Sequence, residues 1–433
     1  MSSTKVALVG LGTVGTGVVR LLTEHQDRIA RHAGEPLELT RVVVQDPKKP
    51  RDVTLPAGLV TDDLSRITKD SDISVVAQLI GGLEPARTIM LELLASGKDV
   101  VTANKALLAA HGPELFDRAR ELGRSIAFEA SVAGGIPIVA AISQCLTANQ
   151  IESINAILNG TSNYILSEME AHGSAYADAL ASAQRLGYAE ADPTMDVDGS
   201  DTAQKLAILA HLSFGARVDW NEIPCKGIDT LELADMRYAK ELGYRIKLLA
   251  VAKLNAAGVE LHVSPTLVRL GTPLAEVRGA NNAISVVGDA VGQAFFSGLG
   301  AGQMPTASAV VADMIDTALG RAAITFRTLE LWSDTGAQTK VSPYADVAGR
   351  YYMRFDVADE PSVLAEIAGV LGAQDISIAS VIQHEPEDEQ QAVVPLVIMT
   401  HNTTEGAVRR AIEAIDKLPF MRGRSVRMRV RDS

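Results

Sequence analysis

The sequence predicts an α/β fold joined to an α+β part, on three observations. Through residues 1–135 apolar strands alternate with helices, the pattern of a Rossmann-type doubly wound parallel sheet. VGLGTVG, residues 9–15, follows the first strand and opens the first helix, the setting in which a G-x-G-x-x-G loop carries meaning. Residues 350–433 read βαββαβ, the order of a compact ferredoxin-like domain, and a mixed α+β region spans 136–323 between the two.

The elements follow in order. KVALVG is a strand, followed by a helix from about Thr13 to Arg31, the strand LTRVVVQD, a short helix near 62–68, ISVVAQLIGG, a helix at 84–96 and DVVTAN. A helix at 112–122 and RSIAFEA extend the series. Helical segments then fall near 138–147, 161–171, 175–186, 201–215 and 232–240, with strand-like SINAILN, YRIKLLAVAKL, VELHVSPTLV and ISVVGDA among them. A last helix at about 305–320 is expected to pack back on the first domain. Residues 324–349, with Gly336, Pro343 and Gly349, are less patterned and read as a linker. After it come RYYMRFDVAD, PSVLAEIAGVLGAQ, ISIASVIQHE, AVVPLVIMTH, EGAVRRAIEAIDKL and SVRMRVRDS, with EPEDEQQ as a polar hairpin loop. In the last strand Arg427, Arg429 and Arg431 share one parity and Val426, Met428 and Val430 the other, which predicts a half-buried strand with an exposed basic face.

Composition excludes several function classes. A length of 433 residues suits two or three domains, and 47% hydrophobic residues supply their cores. A net charge of −13 argues against a nucleic-acid surface, which needs concentrated lysine and arginine. Cys145 and Cys225 stand alone, without the spacing of a disulfide framework or a zinc site, and fit a reducing cytoplasm. MSST runs directly into KVALVG, leaving no room for a signal peptide, and no apolar run approaches membrane-spanning length. The expectation is a soluble cytoplasmic protein with no membrane and no nucleic-acid partner.

Three stretches carry chemistry. In VGLGTVG, Gly10, Gly12 and Gly15 allow a tight turn and let backbone N–H groups approach a pyrophosphate at a helix N-terminus. The second strand ends in Gln45 and Asp46. Asp46 would favour NAD and the nearby Lys48, Lys49 and Arg51 a 2′-phosphate, so both cofactors stay open. Lys105 in VTANKALL and Glu129 in FEASVAGGIPIV each follow a strand, at the carboxyl edge where open α/β sheets bind ligands. DPTMDVDGSDTAQK, residues 192–205, packs four aspartates, a glycine and a lysine together. Calcium fails there: aligning Gly199 with the loop glycine puts Lys205 where the bidentate glutamate belongs. Asp198, Ser200 or Asp201 could cap a helix starting near 200, and Asp201 and Lys205, four apart, share one face of it. That pair is an ordinary ion pair or a site with equal weight.

Taken together, VGLGTVG, VTANKALL, FEASVAGGIPIV, NGTSNYIL, RLGYAEADPTMDVDGSDTAQKLAILA and GLGAGQMPTASAVVAD occur in the order and spacing of homoserine dehydrogenase. The resemblance covers residues 5 to about 323, and residues 350–433 resemble an ACT domain, a module that often binds amino acids. It implies dinucleotide binding by Gly10, Gly12, Thr13, Val14 and Gly15 with Lys105 and Gly302. It implies Gly187, Glu190, Asp196 and Asp201 at the substrate, with Glu190 on the amino group and Asp201 at the hydroxyl end. Lys205 becomes the proton-transferring residue, and Lys105 its rival. Glu129 with the backbone of Val132, Gly134 and Ile136 resembles a sodium site.

The implied reaction moves hydride reversibly between NAD or NADP and the C4 aldehyde of L-aspartate 4-semialdehyde, giving L-homoserine. In the oxidative direction a neutral lysine acts as base, which alkaline pH favours because lysine ordinarily titrates near ~10.4. L-threonine is the effector the architecture suggests, and a homodimer or homotetramer the assembly. Two features depart from the pattern: Gln45 stands where many relatives have arginine, and Ser362 where a glycine is usual. Two competing classes are a non-catalytic amino-acid sensor and a dehydrogenase acting on another amino-acid carbonyl.

Overall fold

A computed structural model describes residues 3–328, 339–384 and 393–432. They form two compact units, the first from Met1–Ser153, Gln204–Glu222 and Asn282–Lys340, the second from Ile154–Ala203, Ile223–Asn281 and Val341–Ser433.

In the first unit β1 (Thr4–Val9), β2 (Leu37–Val43), β3 (Val60–Thr61), β4 (Ile73–Gln78), β5 (Asp99–Thr102) and β6 (Ile126–Ala127) make one sheet, ordered β3-β2-β1-β4-β5-β6. Every pairing is parallel. Val6, Ala7 and Leu8 are fully buried because helices cover both faces, so β1 is a continuous apolar run without alternation. The strand order reverses between β1 and β4, and that switch point opens a crevice at the carboxyl ends of the strands.

Two helices differ from expectation. The first stops at Glu24, and a second runs Gln26–Ala33, because His25 leaves the helical region at φ −123°. Ile29 and Ala33 of that second helix still reach the core. The helix expected at 112–122 begins at Lys105, where Asn104 caps it by accepting from the Leu107 N–H. Pro113, which reads like a helix start, lies inside it. The helix Gln303–Ala318 packs its Ala307, Val310, Val311 and Met314 into the core formed by Val18, Val19 and the sheet. Close approach requires Gly17, where a Cβ would lie 2.8 Å from the Ala307 Cβ.

In the second unit Tyr244–Asn255 and Gly258–Arg269 pair antiparallel along their whole length. The C-terminal elements are Ala348–Ala358, Val363–Ala373, Ile378–Gln383, Val393–Thr400, Glu405–Ile415 and Val426–Arg431. Their sheet runs last strand, first, third, second, with antiparallel pairings, over a core of Phe355, Ile367, Leu371, Ile398 and Ile415. The other edge of the last strand pairs parallel with Gly258–Arg269, Arg429 opposite Thr266.

Val426 and Met428 are buried as expected, but the basic face is not exposed. The arginine face is covered by acidic groups from other elements: Arg429 is only 8% exposed, and Glu405 pairs with both Arg427 and Arg429. A second buried pair ties the first C-terminal strand to the helix Leu233–Glu241: Arg354 Nε lies 2.8 Å from Asp235 Oδ1, and Tyr352 donates to the same oxygen. The segment 324–349, expected as a linker, holds some regular structure. The helix Arg321–Thr328 enters it, Val341 bridges Val259, and the next strand starts at Ala348. Residues 329–338 and the expected hairpin EPEDEQQ lie outside the described residues. Ser362, where a glycine is usual, keeps the glycine's conformation at φ +76°, which costs a residue with a side chain about 1–2 kcal/mol.

Candidate active site

At the switch point β1 ends and the chain turns through Gly10, whose φ of +104° needs glycine and whose N–H donates to the Val43 carbonyl at 2.8 Å. A Cβ on Gly15 would lie 2.4 Å from the Gly10 carbonyl oxygen, so Gly15 is demanded by the protein's own packing. Gly12 differs: a Cβ there meets nothing within 4 Å. Gly12 precedes the helix Thr13–Glu24, and no side chain caps that helix. The free N–H groups and the helix dipole therefore favour an anion in front of it.

The space ahead of the loop is a cavity of about 610 Å³, lined among others by Gly10, Gly12, Thr13, Asp46, Arg51 and Gln303. Asp46 closes the end of the second strand and accepts the Lys48 N–H, while Arg51 folds back to donate to the Asp46 and Lys49 carbonyls. Val14 packs against the hydrophobic core. Gly302 is the residue before the helix Gln303–Ala318, and Gln303 is the one that faces the cavity, braced by Arg20 at 3.1 Å. Gln303 and Thr16 were not singled out from the sequence. For Gly12→Val the expected outcome is a thermal midpoint unchanged within a degree or so and a cofactor KM raised by about tenfold or more, since the branched side chain fills ligand space only. Thermal scanning beside cofactor titration of the rate separates the two effects, and a fall in the midpoint equal to that of Gly15→Ala would refute it.

Lys105 starts its helix at the carboxyl end of β5, half-buried, next to an Asn104 whose amide donates to the Ile80 and Gly82 carbonyls. Glu129 follows β6 in a short 3-10 turn. Its two carboxylate oxygens accept the Val139 and Ala140 N–H groups at 2.9 and 2.7 Å, and Asp313 accepts the Glu129 N–H. Burial pushes Glu129 above the usual carboxylate range, and burial together with the Glu129 charge pushes Asp313 well above it. Val132 and Ile136 are buried beside Glu129, and a Cβ on Gly134 would meet Thr306 Oγ1 at 2.8 Å. Among the described residues no group of three or more His, Cys, Asp or Glu is placed to hold a metal.

In the second unit the aspartates of residues 192–205 separate into distinct jobs. Asp192 is exposed and accepts from both the Thr194 N–H and hydroxyl, which holds it below the usual carboxylate range. Asp198 accepts the Ser200 N–H at 2.7 Å, an Asx turn that leads through Gly199 into the helix Ser200–Phe214. Asp196 and Asp201 are brought together by one amide: Asn159 Nδ2 donates to Asp196 Oδ1 at 2.7 Å and to Asp201 Oδ2 at 2.9 Å. The same side chain caps the helix Gly160–His172, its Oδ1 accepting the Ser162 N–H.

The rest of NGTSNYIL tethers the neighbouring loops. Ser162 donates to the Asp196 carbonyl and Thr161 to the Tyr188 carbonyl. Asn163 donates to the carbonyls of Val277, Gly279 and Asn281 and accepts from Lys247, a fully buried lysine pushed down to about 7 by burial and by the Arg245 charge. Gly199 has φ +90°, and a Cβ there would strike Cys225 Sγ at 2.6 Å. Gly187, at φ +74°, and Glu190 lie exposed on the loop before Asp192. Lys205, 9% exposed, sits one turn beyond Asp201 on the helix that both occupy.

Comparison with known proteins adds three family matches. A model described as homoserine dehydrogenase matches residues 137–315, one described as homoserine dehydrogenase, NAD binding domain, matches 10–129, and the ACT domain matches 351–420. The chain is 43% identical to a homoserine dehydrogenase of Pseudomonas aeruginosa over 99% of both chains, and 44% identical to one of Synechocystis over 96% of both. The crystal structure of a homoserine dehydrogenase from Thiobacillus denitrificans has a TM-score of 0.92 at 43% identity, covering 100% of this chain and 99% of that one.

Proposed function

Because this chain belongs to the homoserine dehydrogenase family and is an NAD(P)-dependent oxidoreductase of that activity, we propose a division of labour among its residues. Residues 1–135 bind the dinucleotide, 136–323 carry the substrate and the subunit contact, 324–349 join, and 350–433 regulate. The observation that carries the reading is the Asn159 amide, which holds Asp196 and Asp201 side by side at the start of the helix bearing Lys205.

The open cradle at Gly12 fits a pyrophosphate, with Thr13 beyond it and Val14 and Gly15 closing the turn against the core. When bound, the nicotinamide supplies or accepts the hydride. Lys205 gives a proton to the C4 oxygen of L-aspartate 4-semialdehyde as the carbon is reduced, and takes it back from L-homoserine in reverse. Asp201 positions the oxygen end and Asp196 supports it through their shared amide. Glu190, exposed on its loop, takes the substrate ammonium, and Gly187 gives that loop its left-handed turn. Lys105, at the carboxyl edge of the sheet, binds the dinucleotide and is the alternative proton donor.

A sodium ion held by Glu129 and the carbonyls of Val132, Gly134 and Ile136 suits the hard oxygen donors there, since the Glu129 oxygens retain lone pairs beside their two amide contacts. The edge strand Gly292–Leu299 leaves Phe295 and Leu299 exposed, which favours assembly into a homodimer or homotetramer. L-Threonine acting through the ACT domain, and a cytoplasmic location for a chain whose described residues hold no helix long and apolar enough to cross a membrane, complete the reading.

Steady-state rates with L-homoserine and each cofactor, with and without L-threonine, and with sodium exchanged for choline, test these assignments together. Turnover with both cofactors, inhibition by threonine and a slower rate in choline are expected. Equal rates in both salts would remove the cation, and a threonine-insensitive rate would remove that effector.

A further inference from the structure

Where the C-terminal sheet joins the long hairpin of the second unit, the four strands surround a cavity of about 190 Å³. Its walls come from Tyr244–Asn255, Gly258–Arg269, the first C-terminal strand and the last. Four cations line it, Lys253, Arg350, Arg429 and Arg431, against a single carboxylate, Glu260. His262 adds no charge at neutral pH, because full burial pushes it down to about 4.

Protein partners do not use up the positive charge. Arg350 is committed to Asp432, and Arg429 donates to Glu405 at 3.1 Å while its Nε–H finds no acceptor among the described residues. Glu260 is shared: it pairs with His262 at 3.3 Å and stands 3.8 Å from Arg429. Burial alone would raise Glu260, but the His262 hydrogen bond and the Arg429 and Lys253 charges outweigh it and hold it low. Arg431 is left over. Its Nε–H is buried without a partner, and no described residue supplies its guanidinium with a hydrogen bond or an ion pair. Burial pulls Arg431 below the ordinary arginine range, and the Glu260 charge offsets this only in part. A cavity holding an unpaired guanidinium suits one class of ligand, since the planar fork matches the two oxygens of a carboxylate or phosphate.

We propose that this cavity binds a small oxyanion, a carboxylate or phosphate group on a compact molecule, between Arg431, Arg429 and Lys253. The ammonium of a zwitterion would fit against Glu260. Such a ligand would touch the hairpin and both flanking C-terminal strands at once, and so would stiffen the seam between them.

Titration calorimetry on the full chain, at constant ionic strength in chloride, tests this with inorganic phosphate and with succinate as separate probes. Saturable 1:1 binding of one of them with a Kd below about 1 mM is expected, and which one binds identifies the source of the oxyanion. Arg431→Gln should weaken that binding at least tenfold. Lys253 is exposed, so Lys253→Met will fold, and it should weaken binding severalfold. No saturable heat from either probe overturns the proposal, and so does wild-type affinity in Arg431→Gln. Should that variant fail to fold by circular dichroism, unchanged affinity in Lys253→Met overturns it alone.

Discussion

Lys205→Ala is expected to lower kcat by about a hundredfold to ten-thousandfold, the range lost when a positioned proton donor is removed, with the KM for L-homoserine changed far less. The split follows from where the lysine acts. A proton delivered as the carbonyl becomes an alkoxide stabilises the transition state, so its removal should appear in kcat rather than in binding. Lys205→Arg keeps the charge and the burial but holds its proton too tightly, and should recover little. The comparison that decides is Lys105→Ala, assayed by nicotinamide absorbance at saturating substrate. If Lys105→Ala is the severe variant and Lys205→Ala the mild one, the proton comes from the amino edge of the helix Lys105–Glu121 instead.

The second large effect is expected at Asn159. Asn159→Leu deletes both amide donors and leaves Asp196 Oδ1 and Asp201 Oδ2 without the partner that holds them, and it also removes the cap on Ser162. Losing donors to partly buried carboxylates costs about 1–3 kcal/mol, and the cap about 1 kcal/mol more. The activity should fall by about tenfold to a hundredfold, because a site that loosens by an ångström loses its geometry. Asn159→Asp makes a sharper test. It restores an acceptor for the cap but sets a third carboxylate against two others, so it should be more stable than a cap-less variant at that helix end and yet less active than Asn159→Leu. Thermal melts and kcat/KM measured side by side give the ranking. Near-wild-type kcat/KM in Asn159→Asp would mean the amide does not position these acids.

The sheet, the glycine turn and the C-terminal βαββαβ order were legible in the sequence because each rests on local periodicity. Apolar runs such as KVALVG and alternation such as SVRMRVR announce a strand wherever it sits in the molecule. What alternation cannot announce is the neighbour. The arginines of the last strand looked solvated until Glu405 and Glu260, from other elements, proved to face them. Asn159 was hidden for a related reason: locally it reads as a helix cap, which it is, while its acidic partners lie 37 and 42 residues along the chain. The early start of the helix Lys105–Glu121 was masked by Pro113, since proline favours the first turn of a helix, yet the side-chain oxygen of Asn104 supplies a cap nine residues earlier. Gln303 carried no signal, since a lone glutamine at a helix start is commonplace.

The last strand has a consequence for how the chain is made. Val426–Arg431 is inserted between Gly258–Arg269 and Ala348–Ala358, so two sheets become one only when it arrives. Its partner Thr266 lies roughly 160 residues upstream, a contact of the kind that forms late and slowly. Until then both flanking strands present a raw edge, the surface on which nascent chains stick to one another. The ACT domain is thus no detachable module. Trimming it would strip a strand from the hairpin of Tyr244–Asn255 and Gly258–Arg269, and one six-residue segment would thus govern the solubility of both flanking sheets.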